Sequence, residues 1–252
     1  MALLEGRVAL VTGAGSGIGE AIALAYAREG ARLFLADISA ERVDAIVGRA
    51  RAAGAEAQGC TVDVAADASV RAMVTAAEAA FGRLDVVCNN AGILDRLMPV
   101  HDTTDAMWER VIGVNLTGAF QVCRAVLPGM LERGAGNIIN THSISSFLGG
   151  RGGAAYTVSK HGILGLTRTI AATYGDRGIR CNGISPGSVA TNISTGDDWH
   201  DMGRALREKG LATRPQRAVP DDIAPVAVFL ASDMAHYLNG ANIVADAGWT
   251  AY

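Results

Sequence analysis

Short apolar runs alternate with longer stretches in which apolar residues recur every three to four positions, from the first residues of the chain to the last. An apolar run of four to eight residues reads as a strand buried on both faces, whereas a period near 3.6 reads as a helix with one buried side. The pattern predicts strands at 7–12, 32–37, 57–62, 84–88, 137–141, 180–184 and 241–245. Helices are predicted at 18–28, 40–53, 68–81, 104–132, 154–174 and 221–231. Strict alternation of this kind predicts the α/β class. The expected architecture is a single doubly wound Rossmann domain over residues 1–252, with a parallel seven-stranded sheet carrying helices on both faces. Residues 188–220 break the rhythm: they are polar, contain Gly196, Gly203, Gly210 and Pro215, and follow a strand directly. They are too many for an ordinary connection and are read as a substrate lid over the carboxyl edge of the sheet.

Composition removes several function classes. Twenty-two basic against 25 acidic residues give a net charge of −3, so there is no basic field for a phosphate backbone, and nucleic acid is not an expected partner. Half the residues are apolar, and 31 glycines accompany only 6 prolines, which excludes disorder and collagen. No apolar stretch reaches the roughly 18 residues of a membrane span, and residues 1–7 lack a signal-peptide pattern, so no membrane is expected and the chain is placed in the cytoplasm. Cys60, Cys88, Cys123 and Cys181 are widely spaced and form no C-x-x-C pair, so they read as reduced thiols. The histidines show no metal-ligand spacing, and no metal is predicted.

The candidate chemistry begins where the first strand runs into Thr12-Gly13-Ala14-Gly15-Ser16-Gly17-Ile18-Gly19. Glycines between a strand and a helix let the backbone approach a pyrophosphate, and the free amides and dipole of the helix start favour its charge. Asp37 ends the second strand, where a carboxylate accepts hydrogen bonds from ribose hydroxyls and repels a 2′-phosphate; the alternative is that it caps the next helix. Ser16 stands where a binder of NADP would offer a cation. Together these residues predict NAD as the cofactor. Asp63-Val64 and Asn89-Asn90-Ala91-Gly92 close the third and fourth strands, again at the ligand-binding edge. Tyr156 and Lys160 are four residues apart on a predicted helix and share one face. An ammonium about 6 Å from a phenol stabilises the phenolate by roughly 2–3 kcal/mol at an effective dielectric near 20.

With Ser143 lying 13 residues before Tyr156, and Asn115 within Val114-Asn115-Leu116-Thr117-Gly118, the order and spacing of these motifs resemble the classical short-chain dehydrogenase/reductase (SDR) family over essentially the whole chain. The resemblance implies that Tyr156 is the general acid/base, that Ser143 holds the substrate oxygen, and that Lys160 lowers the tyrosine pKa and grips the nicotinamide ribose. It implies for Asn115 a place in the proton relay that depends on a main-chain kink. Gly13, Ser16, Gly17, Ile18, Gly19, Asp37, Asp63, Val64, Asn89, Ala91 and Gly92 would line the cofactor path. Pro186, Gly187, Val189 and Thr191 would sit beside the nicotinamide. Ser145, Phe147, Gly149 and Ser188 would join Ser143 and Tyr156 around a small-molecule alcohol or ketone. His142 stands where the family usually has a small or aliphatic residue, and strand alternation turns it toward packing.

The expected activity is NAD(H)-dependent interconversion of a secondary alcohol or sugar-type hydroxyl with its ketone, in a homotetramer. Two alternatives remain: an NADPH-dependent 3-oxoacyl-thioester reductase and a non-catalytic NAD-binding redox sensor.

Overall fold

The computed structural model describes residues 2–194 and 198–251. Among them, seven strands pair in parallel in the order β3-β2-β1-β4-β5-β6-β7: β1 Val8–Thr12, β2 Arg32–Asp37, β3 Ala57–Thr61, β4 Val86–Asn89, β5 Gly136–Thr141, β6 Ile179–Pro186 and β7 Asn242–Ala245. Strand alternation feeds two cores. In β1, Ala9 and Val11 join one cluster with α1 (Gly17–Arg28), α2 (Ala40–Ala52) and α8 (Pro220–Ala231). Val8 and Leu10 join the other, with α3 (Asp67–Phe81), α5 (Gly118–Arg133) and α6 (Ala154–Tyr174). Chain order reverses between β1 and β4, which opens a crevice beyond their carboxyl ends.

Two differences from the sequence reading bear on the site. The long helix expected at 104–132 is α4 (Asp105–Ile112) and α5 joined by a π-helical turn, Gly113–Thr117. The whole run, Asp105–Arg133, is long and apolar enough to cross a membrane, with a mean hydropathy of 1.3 over its most apolar stretch, contrary to the expectation that no apolar stretch reaches that length. Half of that stretch is buried inside the protein, as in a core helix. The expected lid also contains a helix, α7 (Asp201–Leu211). Gly203 and Gly210 hid it, because glycine is a poor helix former, although Met202, Ala205 and Leu206 follow helical spacing. Residues 195–197 of that segment, including Gly196, lie outside the described residues.

Candidate active site

A cavity of about 590 Å³ runs along the carboxyl edge, from the glycine turn to the start of α6. At its first end the turn is closed by contacts that only glycine permits. Gly13 has φ +62°, and a Cβ there would lie 2.8 Å from the Ala91 Cα. A Cβ on Gly19 would overlap the Gly13 carbonyl, so Gly19 lets α1 close on the turn and does not itself line the cavity as expected. Gly13, Ser16, Gly17 and Ile18 do line it. Ser16 is the N-cap of α1, yet its side chain makes no capping hydrogen bond. The helix start therefore presents unsatisfied amides and its dipole to the cavity, a setting suited to a pyrophosphate.

Asp37 is buried at the end of β2, where Oδ2 accepts the Gly15 N–H at 3.0 Å and Oδ1 accepts the Ser39 N–H at 3.1 Å. The cap of α2 is Ser39, whose hydroxyl accepts from the Arg42 amide, so the capping alternative for Asp37 fails. Each carboxylate oxygen keeps lone-pair capacity toward the cavity that Asp37 lines, which fits a ribose diol. Asp63 and Val64 line the next stretch, and Ala91 and Gly92 the floor. Of the asparagine pair, Asn90 and not Asn89 faces the cavity. Asn90 Nδ2 donates to the Thr12 and Gly13 carbonyls at 3.3 and 3.2 Å, whereas Asn89 turns into the core and donates to Asn140 Oδ1 at 2.9 Å. Strand alternation could have separated the two, since β4 ends at Asn89.

At the far end, Thr141, Ser143, Tyr156 and Lys160 converge, with Pro186, Gly187, Val189 and Thr191 opposite. Ser143 caps the short 3₁₀ turn Ile144–Ser146, and its Oγ accepts the Ser145 N–H at 3.1 Å. The Ser143 hydroxyl also hydrogen-bonds toward the Tyr156 phenol, which lowers the phenol pKa. Burial is the larger effect and pushes that pKa up, with the Asp95 charge adding to the rise. The fall in tyrosine pKa expected from Lys160 is thus not the net result here. Lys160 is only 4% exposed, its Nζ lies 5.7 Å from the centroid of the Tyr156 ring, and it donates to the Thr141 carbonyl at 2.7 Å. The same burial lowers its pKa to about 8.

Asn115 occupies the π turn, the expected main-chain kink, but its side chain does not enter the cavity. Its Oδ1 accepts the Ile93 N–H at 2.8 Å, while Nδ2 donates to the Ile93 carbonyl at 3.0 Å and to Ser159 Oγ at 3.1 Å. These bonds tie the loop after β4 to α6 through the Asn115 side chain. Ser145, Phe147, Gly149 and Ser188 also lie outside the cavity wall. The tight turn after Ser143 tucks Ser145 into the interior, and Phe147 and Gly149 face outward.

One residue without a recognisable sequence signal supports α6, the helix that carries Tyr156 and Lys160. Asp95 is fully buried, and its carboxylate accepts backbone N–H groups from Leu97, Gly153 and Tyr156. It caps α6 from a distant loop, where the N-cap, Gly153, has no side chain to do so.

A profile described as enoyl-(acyl carrier protein) reductase matches residues 13–250. The 3beta-hydroxysteroid dehydrogenase 2 of Eggerthella lenta is 40% identical over 252 residues, covering 99% of this chain and 97% of its own. The D-threitol dehydrogenase of Mycolicibacterium smegmatis is 42% identical over 247 residues, covering 98% and 94%. Among solved structures, levodione reductase superposes with a TM-score of 0.91 at 36% identity, covering 99% of this chain and all of its own. A protein from Beutenbergia cavernae described as an NAD(P)-dependent gluconate 5-dehydrogenase, with NADP bound at low occupancy, gives 0.89 at 38% identity, covering 99% and 98%.

Proposed function

The chain belongs to the short-chain dehydrogenase/reductase family, and from that premise we propose that it is an NAD(H)-dependent oxidoreductase that interconverts a secondary alcohol or sugar-type hydroxyl with its ketone. The carrying observation is that one cavity joins an uncapped helix start, a buried carboxylate and the Ser143–Tyr156–Lys160 group. The relatives named as dehydrogenases of a 3beta-hydroxysteroid and of D-threitol, and the neighbour named levodione reductase, support an alcohol or carbonyl substrate.

Ser16, Gly17 and the first amides of α1 would hold the pyrophosphate, Asp37 the adenine-side ribose, and Lys160 the nicotinamide ribose. When bound, the nicotinamide accepts or supplies the hydride. The protein handles the proton. With a raised phenol pKa and a lysine pKa of about 8, the resting pair at neutral pH is a protonated Tyr156 beside an ammonium. That form delivers a proton to a ketone oxygen held by the Ser143 hydroxyl, and Lys160 then stabilises the phenolate left behind. Alcohol oxidation runs the same path in reverse and starts from the phenolate.

The Asp37 carboxylate supports NAD over NADP, and so speaks against a 3-oxoacyl-thioester reductase using NADPH. The convergence of Ser143 and Tyr156 speaks against a non-catalytic sensor, which has no need of either. Trp108, Phe120 and Val158 lie exposed on α4, α5 and α6, and they favour a homotetramer built through these helices. The four free cysteines fit a reducing compartment such as the cytoplasm.

The test is a panel of D-threitol, a 3β-hydroxysteroid and cyclohexanol, each with NAD and with NADP and followed by absorbance of the reduced cofactor. Turnover of at least one alcohol with NAD in preference to NADP is expected. Activity confined to NADP, or none with any alcohol or its ketone, would contradict the proposal.

A further inference from the structure

His142, between the two carbonyls that frame the site, is a buried titratable group with no part in the proton transfer described above. It is 1% exposed. Its Nδ1 lies 2.9 Å from the side-chain amide of Asn242 on β7, and its Nε2 lies 2.8 Å from Thr167 Oγ1 on α6. The Ser185 hydroxyl on β6 lies 2.7 Å from the same Asn242 amide and 3.0 Å from the Ser143 carbonyl oxygen. On the other flank, the carbonyl of Thr141 accepts from Lys160. The ring fits only because position 183 is glycine: a Cβ there would overlap the imidazole.

Counting protons fixes how this network is wired. The Thr167 hydroxyl accepts from Asn140 Nδ2 and lies 2.9 Å from the Ile163 carbonyl and 2.8 Å from His142 Nε2, so it can donate to the ring. Neutral His142 carries its proton on Nδ1 and donates it to Asn242 Oδ1 at 2.9 Å. The same oxygen accepts from the Ser185 hydroxyl at 2.7 Å, and that hydroxyl also lies 3.0 Å from the Ser143 carbonyl oxygen. The tautomer protonated at Nδ1 gives both ring nitrogens a partner. Burial, reinforced by the Lys160 and Arg168 charges, lowers the His142 pKa to about 4 and keeps the ring neutral.

We propose that His142 is a positioning residue for the oxidoreductase reaction, fastening the Thr141–His142–Ser143 turn at once to β7 and to α6 and so fixing the Ser143 hydroxyl and the acceptor carbonyl of Lys160. The proposal rests on the reading of Ser143, Tyr156 and Lys160 as the reacting group. The arm through Nδ1, Asn242 and Ser185 leads to Ser143; the arm through Nε2 and Thr167 leads to the helix that carries Tyr156.

The experiment compares His142→Ala, His142→Asn, Asn242→Leu and the His142→Ala/Asn242→Leu double variant, using NAD and whichever of D-threitol, the 3β-hydroxysteroid or cyclohexanol is turned over best. Turnover is expressed per NADH-binding site, counted by fluorescence titration, so that unfolded protein does not enter. His142→Ala should lower kcat about 10- to 100-fold, the scale of a slight misplacement of reacting groups, while NADH affinity stays within about threefold. His142→Asn, which keeps an amide near the Nδ1 position, should recover most of that loss, and the double variant should be no worse than the poorer single one. Unchanged kcat per site in His142→Ala, or losses that multiply in the double variant, would overturn the proposal; if His142→Ala does not fold, His142→Asn and Asn242→Leu decide it by the same split. Tyr156→Phe in the same assay separates the two claims. If Tyr156→Phe stays active, the reading of the site itself fails, whereas if it is inactive and the His142 variants are normal, only the positioning role fails.

Discussion

The carboxylate of Asp95 accepts the backbone N–H of Tyr156 at 2.8 Å and that of Gly153 at 3.0 Å, so the helix that carries Tyr156 is capped by a side chain from 61 positions before that tyrosine. Adjacent residues Arg96 and Leu97 have φ of +55° and +58°, a left-handed conformation that ordinary side chains rarely adopt. The loop is held in that form partly by the Leu97 N–H donating to the same carboxylate.

Asp95→Ala should therefore cost about 1.5–3 kcal/mol of stability for the loss of charged hydrogen bonds to buried amides. Asp95→Asn should lose less, because its amide oxygen still accepts. Urea unfolding of both variants checks the order, and an Asp95→Ala as stable as the parent would remove the capping role.

Cofactor choice follows from the Asp37–Gly15 contact. Asp37→Ala combined with Ser16→Arg should weaken NAD and strengthen NADP, by about 1–3 kcal/mol for each charged hydrogen bond lost or gained. Arg42, which lines the cavity beside Asp37, then becomes a second cation for the 2′-phosphate. Kinetics with both cofactors read the change, and a parent enzyme that already prefers NADP would refute the assignment.

The pH dependence has a definite sign. Burial raises the Tyr156 pKa, so alcohol oxidation, which needs phenolate, should climb with pH through the alkaline range, while ketone reduction should be sustained at neutral pH. Lys160 titrates at about 8 in the folded chain against 10.5 unexposed to burial. Between those values the unfolded chain binds more protons, so this group makes the fold more stable as pH rises through the window. Lys160→Met should abolish that rise in a series of thermal melts.

The segment proposed as a lid packs on the strained loop: Gly203 of α7 leaves no room for a Cβ against the Leu97 carbonyl, and the His200 N–H donates to the Arg96 carbonyl at 2.9 Å. Gly203→Ala should lift α7, raising KM for the alcohol while leaving NADH affinity unchanged. Hydrogen exchange across 201–211 should slow when NAD and substrate bind, and equal exchange in both states would argue against a lid.

Much of this site can be read directly from the residues. The glycine turn, Asp37, and the Tyr156–Lys160 pair lie within single strand-to-helix transitions, where local spacing dictates geometry. What the chain order conceals is tertiary. Asn89 and Asn90 look equivalent until β4 ends and the pleat sends one to the core and the other to the cavity. Asp95 has no local motif because it caps a helix 58 residues away, and the apolar-period reading missed α7 because two glycines dilute its apolar face. The pKa of Tyr156 rises for a similar reason: the spacing to Lys160 is local, but the burial that pushes the phenol up comes from the tertiary fold, and the Asp95 charge adds to it from a distant loop.

The central claim is that Tyr156 moves the proton and does not hold the cofactor. Tyr156→Phe removes one hydroxyl, keeps the ring in place and leaves Lys160 free to reach the ribose. NADH fluorescence titration paired with turnover per binding site tests the claim directly. The account predicts NADH affinity within a few-fold of the parent while turnover falls by roughly 10²–10⁴ or more. Near-normal turnover in Tyr156→Phe, or a loss of NADH binding as large as the loss of turnover, would contradict it.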